Sequence, residues 1–191
     1  SFIVTELQES AQLMKAPVAT TPSNAFASTA VAWTLLSRVY LYMGGSVASP
    51  DAGFNQLAAT YADSVISQTG GKYALLQGDA YKQMFGDDEF GTLGRSKFTA
   101  NKEIIFAFDN AAGGSNIGQL YHYDLSYGVG AFFLPSSDLR QLFTPADLRG
   151  TFFKLNVNNN HIETTKWLCL NQAWLTYAPY IYFRLGEVYL N

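Results

Sequence analysis

The residues best equipped for chemistry in this sequence are aromatic rings set among short polar side chains. Tyr121, Tyr123, Tyr127, Phe132 and Phe133 are interspersed with Asn116, Gln119, His122 and Asp124, mostly within a Gly-, Ser- and Tyr-rich stretch over residues 110–130. A flat ring can cover the apolar face of a sugar, while amides and carboxylates bond its hydroxyls, so this combination suits a neutral polar ligand. The same rings could equally anchor a long loop to the core, and Trp167 and Trp174 divide between the same two readings. The candidate ligand-binding set is Asn116, Gln119, Tyr121, Tyr123, Asp124, Tyr127 and Trp174. Few basic residues accompany these rings, which fits neutral sugars better than acidic ones.

Other reactive groups fall into no catalytic pattern. Asp87-Asp88-Glu89 is the densest acidic cluster. Neighbouring carboxylates on a loop diverge, whereas glycoside hydrolysis needs two that face each other, so the cluster reads as a solvated turn. His122 and His161 have no His or Cys three or four residues away, the spacing a zinc site would use. Cys169, the single cysteine, lies between Leu168 and Leu170 and reads as buried and inert. No serine sits in a G-x-S-x-G setting, and Gly128-Val129-Gly130 lacks the third glycine of a dinucleotide loop. Neither a metal nor a cofactor is expected. A net charge of −3 offers no basic field for a phosphate backbone, so nucleic acid is not an expected partner.

The elements that must position these residues are mainly helical. With 191 residues, 48% apolar, 15% aromatic and 14% charged, the chain has the composition of a folded protein and the length of one domain, residues 1–191. No run reaches the ~18 apolar residues of a membrane span. The longest apolar tract, residues 30–43, contains Arg38. Residues 6–14 predict a short helix, and residues 27–43 a helix apolar almost all round, ended by Gly44-Gly45. Ser49-Pro50-Asp51 offers a helix start. Phe54, Leu57, Ala58, Tyr61, Ala62, Val65 and Ile66 follow with helical spacing, up to Gly70-Gly71. Two helices joined by a short turn form an antiparallel hairpin.

Beyond residue 72 the chain becomes irregular. Residues 101–109 predict a strand, Pro135 to Asp138 a capped short helix through Phe143, and Thr144 to Asp147 a capping box. Residues 156–160 read as a polar turn and residues 180–190 as a final helix, with Arg184 and Glu187 as an ion pair on it. That helix ends without a stop signal and the N-terminus has no signal-peptide pattern, so the expectation is a piece truncated at both ends. Val-Tyr-Leu recurs at residues 39–41 and 188–190, which suggests related packing environments.

Six segments, in order, resemble the SusD/RagB family of outer-membrane nutrient-binding lipoproteins of the Bacteroidetes. They are Phe2-Ile3 with Glu6-Leu7; residues 30–42, ending Arg38-Val39-Tyr40-Leu41-Tyr42; and Tyr61-Ala62-Asp63-Ser64-Val65-Ile66 with Lys72-Tyr73. Glu103-Ile104-Ile105-Phe106, Ser136 to Phe143 with Asp147-Leu148-Arg149, and Arg184-Leu185-Gly186-Glu187-Val188-Tyr189-Leu190 complete the set. The resemblance implies a mainly α fold of tetratricopeptide-like helix pairs, with long irregular loops and a minor β element. It implies a cell-surface glycan-binding component, lipid-anchored to the outer membrane and facing the exterior. Such a protein is not an enzyme and passes oligosaccharide to a SusC-like TonB-dependent transporter. The matched segments read as scaffold and carry over no binding residues. Two alternatives stay open beside this reading: a RagB-like peptide-binding uptake protein and a helical-repeat adaptor for a protein partner. A glycosidase using Asp88 or Glu89 is the remotest reading.

Overall fold

A computed structural model describes residues 2–14, 24–85, 101–108, 133–157, 160–164, 166 and 180–191. The chain divides into two compact units. The first comprises Ser1–Leu76, Thr99–Phe108 and Ile181–Asn191; the second comprises Gln77–Phe98 and Asp109–Tyr180.

Three helices make the bulk of the first unit: α1 (Phe2–Leu13), α2 (Thr29–Met43) and α3 (Ala52–Gln68). The Ser28 side chain caps α2 by accepting from the Val31 amide, and Asp51 caps α3 by accepting from the Phe54 amide. The helix α3 therefore starts two residues later than a first helical position at Pro50 would place it. Pro50 lies instead in a two-rung ribbon, β1 (Gly45–Ser46) paired antiparallel with β2 (Ser49–Pro50). Gly45 turns the chain with φ of 82°, where a Cβ would meet the Ser49 carbonyl oxygen at 2.3 Å. Gly44 lies so close to α3 that a Cβ would overlap the Asn55 side chain.

The helix α2 packs against both α1 and α3. Its inward residues are Ala30, Ala32, Thr34, Leu36, Ser37 and Tyr40, small side chains around two large ones. Leu36 and Ala58 are wholly buried. Tyr40 stacks on Tyr61 with ring centroids 5.7 Å apart, and Gln8 donates to the Tyr61 hydroxyl at 3.0 Å, which ties all three helices together. Burial, and then the neighbouring Tyr61, push the Tyr40 hydroxyl pKa up. Trp33 is half-buried and packs against both hydrophobic clusters of this unit. Tyr42, expected on an apolar face, is 83% exposed, because it lies on the opposite side of the last turn of α2 from buried Tyr40.

The expected final helix is a strand followed by one helical turn. β6 (Tyr180–Arg184) pairs with β3 (Ile104–Phe108), and α6 (Leu185–Val188) follows directly. Aromatic and β-branched residues alternate through Tyr180-Ile181-Tyr182-Phe183, and pairing with β3 overrides the helical spacing of the apolar residues. Ile105, Phe183, Leu185 and Val188 then join Ala30, Ala62 and Val65 in one core cluster. The two Val-Tyr-Leu copies differ: Tyr40 is 5% exposed and Tyr189 is 54% exposed.

In the second unit, α4 (Gly78–Gln83) leads into buried Met84 and Phe85. Ser136 caps α5 (Ser137–Gln141) by accepting from the Leu139 amide. Thr144 and Asp147 form no capping box. Asp147 itself caps a 3₁₀ turn, Leu148–Phe152, accepting from the Arg149 amide at 2.9 Å. The expected polar turn at residues 156–160 sits between two strands not anticipated from the sequence, β4 (Phe153–Asn156) and β5 (His161–Thr164). Asn160 takes φ of 59°, a left-handed conformation asparagine tolerates, and its amide donates to the Asn156 carbonyl at 2.8 Å.

Candidate functional site

A cleft of about 570 Å³ opens in the second unit. Tyr81 of α4, Phe133 to Ser136 ahead of α5, Leu139 of α5 and Phe143 line one part of it. Arg149 and Phe152 of the 3₁₀ turn, Phe153 and Thr164 of the hairpin, and Lys166 line the rest. Below the surface Phe85 and Phe152 meet edge to face, centroids 5.8 Å apart, and Tyr81 meets Phe85 edge to face at 5.5 Å. These contacts with buried Phe85 and Phe152 fix the half-buried Tyr81 ring. Phe143 and Phe153 lie 5.4 Å apart and form a wall. Phe133 is 55% exposed, so a large ring stands open to solvent at the rim.

A second groove of about 430 Å³ shares Phe143 and Phe153 with the first and is completed by Arg140, Thr144, Asp147 and Thr151 among others. Cations border both grooves. The Arg149 guanidinium sits 5.2 Å from the centre of the Phe143 ring, and the Lys166 ammonium 4.4 Å from that of Phe85. Arg149 donates to Asp147 through Nε at 3.0 Å and Nη2 at 2.6 Å, which holds the Asp147 carboxyl below the usual carboxylate range. The Arg140 Nε is sealed from water with no acceptor among the described residues. A buried N–H left in that state costs roughly 1–3 kcal/mol.

The aromatic lining can stack on apolar ring faces, and Ser136, Thr164 and Thr151 can exchange hydrogen bonds with hydroxyls. Among the described lining residues the one carboxylate is Asp147, and it is committed to Arg149. Two carboxylates flanking a glycosidic bond are therefore not assembled by those residues.

The candidate set read from the sequence, Asn116, Gln119, Tyr121, Tyr123, Asp124, Tyr127 and Trp174, lies outside the described residues, as do His122, Asp87 to Glu89, Trp167 and Cys169. Phe133, the last ring of the same run, does line the cleft. Tyr81, Phe143, Phe153, Arg149, Lys166 and Arg140 were not anticipated. The segment from Ser136 to Arg149 had a signal, since it is one of the six matching pieces, but it read as framework; Leu139, Phe143 and Arg149 in fact face a groove.

Three of the other matching pieces converge in the first unit. Arg38 of α2 forks onto Glu187 of α6, Nε to Oε1 and Nη2 to Oε2, both at 2.7 Å. Arg184 pairs with Glu103 at 3.2 Å. Arg184 and Glu187 do not pair with each other as expected: the strand-to-helix switch after Arg184 gives each a distant partner. Glu103 is 2% exposed, and its Oε2 accepts from the Leu76 amide.

Comparison with known proteins decides the fold. Neither a family model nor a curated protein matches the sequence. Solved structures do. A SusD superfamily protein of Bacteroides fragilis superimposes with a TM-score of 0.68 at 19% identity, over 97% of this chain and 44% of that one. A SusD superfamily protein of Bacteroides thetaiotaomicron gives 0.60 at 21% identity, over 98% and 40%. The fold is that of the SusD superfamily. A further solved structure, crystallised with xylogluco-oligosaccharide, gives 0.71 at 18% identity over 99% of this chain and 42% of that one. The chain thus spans about two fifths of the length of these solved structures and shares their fold.

Proposed function

We propose that this chain belongs to a cell-surface glycan-binding protein of a SusC/SusD-type uptake system, one that passes oligosaccharide to a TonB-dependent transporter without chemical change. The observation that carries the reading is the open aromatic cleft of the second unit, bounded by Tyr81, Phe133, Phe143 and Phe153, on a SusD fold. The oligosaccharide in one structural neighbour supports the ligand class. The lining favours binding over hydrolysis, because the carboxylate it presents is committed to Arg149. Lipid anchorage to the outer membrane, facing the exterior, belongs to the same proposal, as does the single-domain reading of residues 1–191.

Isothermal titration of the full chain against a panel of neutral and acidic oligosaccharides and short peptides tests this reading. Binding of a glycan, weakened by Phe133→Ala and by Phe153→Ala, is expected. Binding of peptides alone would support a RagB-like protein instead. Alanine at Tyr121, Tyr123 and Tyr127 in the same titration tests whether the stretch singled out in the sequence contributes. A single calorimetric unfolding transition is expected for one domain, and two separate transitions would break that part of the proposal.

A further inference from the structure

The sequence alone favours a neutral sugar, because few basic residues accompany the tyrosine-rich stretch. The grooves of the second unit present a different balance. Their described lining carries Arg140 and Arg149 against one carboxylate, Asp147, in a chain of net charge −3. Asp147 does not cancel the arginines' donors. Its bonds use Nε and Nη2 of Arg149, while Nη1, on a side chain 61% exposed, makes no hydrogen bond with the described residues. Arg140 lines the second groove; its Nε is sealed from solvent, so the donors it can present are its terminal nitrogens, which make no hydrogen bond with the described residues. Both arginines border the one wall, Phe143 and Phe153, that the grooves share.

We propose that the two grooves form one surface for an acidic oligosaccharide, its sugar rings on Phe133 and Phe153 and a uronate carboxylate taken by Arg149 and Arg140. Arginine suits this task because its planar fork matches a carboxylate, and ionised partners shorten and strengthen the bonds. A neutral sugar uses the rings and leaves the guanidinium N–H groups unanswered. The inference rests on the glycan-binding reading above and deepens it, by naming the charge of the ligand and the residues that select it.

Titration of the full chain with an oligogalacturonide and with its methyl-esterified counterpart separates the two claims, since the probes share a sugar chain and differ in charge. The free acid is expected to bind on the order of ten-fold more tightly than the ester. That ratio should shrink as salt rises and fall toward one in Arg149→Gln and in Arg140→Gln. Arg149→Lys, which keeps the charge but not the fork, should retain part of it. Circular dichroism melts of each variant establish that it is folded. Equal affinity for acid and ester, or a ratio unmoved in folded arginine variants, overturns this inference and leaves the glycan reading intact. Binding of neither probe, with a neutral xylogluco-oligosaccharide also failing to bind, overturns both. A sulfated neutral oligosaccharide preferred over the uronate would overturn the carboxylate assignment, and an oligoglutamate peptide binding as tightly would overturn the saccharide.

Discussion

The two units use arginine and aromatic residues to opposite ends. In the first, Arg38 is spent on Glu187 and the Phe183 ring, Arg184 on Glu103, and Tyr40 on Tyr61. In the second, Arg149 and Arg140 retain N–H groups without acceptors among the described residues, and Phe133 lines a cleft with more than half its surface exposed. The same residue types make framework where their polar groups find internal partners, as these do, and a binding surface where some do not. The difference lies in satisfaction rather than composition, so a residue count cannot reveal it.

Perturbing the first unit should therefore change stability and spare binding, and the largest effect is expected in its core. Leu36→Ala removes a wholly buried side chain between α1, α2 and α3 and should cost about 2–5 kcal/mol in chemical denaturation, with ligand affinity unchanged in the folded fraction. Glu103→Ala strands the Leu76 amide and Arg184 together and should cost roughly 2–4 kcal/mol by the same measurement. Glu187→Gln weakens the fork to Arg38; because both partners are about one-third exposed, the expected loss is smaller, about 1–2 kcal/mol. A change in glycan affinity in any of these three variants would blur the division between framework and surface.

The second unit should respond the other way. Phe133→Ala should leave stability within about 0.5 kcal/mol while lowering oligosaccharide affinity about ten-fold. The smallest expected effect is with pH. Hydrogen bonds from Arg149 hold the Asp147 carboxyl below its ordinary value. Whatever that contact contributes is present above the unfolded carboxylate pKa and is lost as pH falls through the depressed folded one. Binding titrated from pH 8 down to pH 5 should show no step from Asp147, and a step in that window that vanishes in Asp147→Asn would show the carboxyl less tightly held.

The helical hairpin was legible because its signals are local: the period-three-and-four spacing of residues 54–66 and the glycines at 44–45 and 70–71 depend on near neighbours, although the caps, Ser28 and Asp51, were not read from the sequence. The strand at Ile104–Phe108 and the cap at Ser136 were legible for the same reason. Residues 180–184 were not, since their strand state depends on β3, more than 70 residues away in sequence. The β4–β5 hairpin was half-legible: its polar turn could be read, but short strands with Asn156 and Glu163 turned inward do not alternate as an amphipathic pair should. For the site, the sequence pointed to aromatic residues in polar surroundings and reached Phe133. It could not reveal that Arg149 and Phe143, inside a segment that reads as framework, border a cleft with Tyr81, because nothing in their spacing distinguishes a satisfied arginine from an unsatisfied one.

The most direct test of the central claim is a crystal structure of the full chain with an oligosaccharide it is shown to bind. A sugar ring lying against Phe133 and Phe153, with Tyr81 beneath, is the expected result. Sugar bound elsewhere on the chain, with the Phe133 ring untouched, would contradict it.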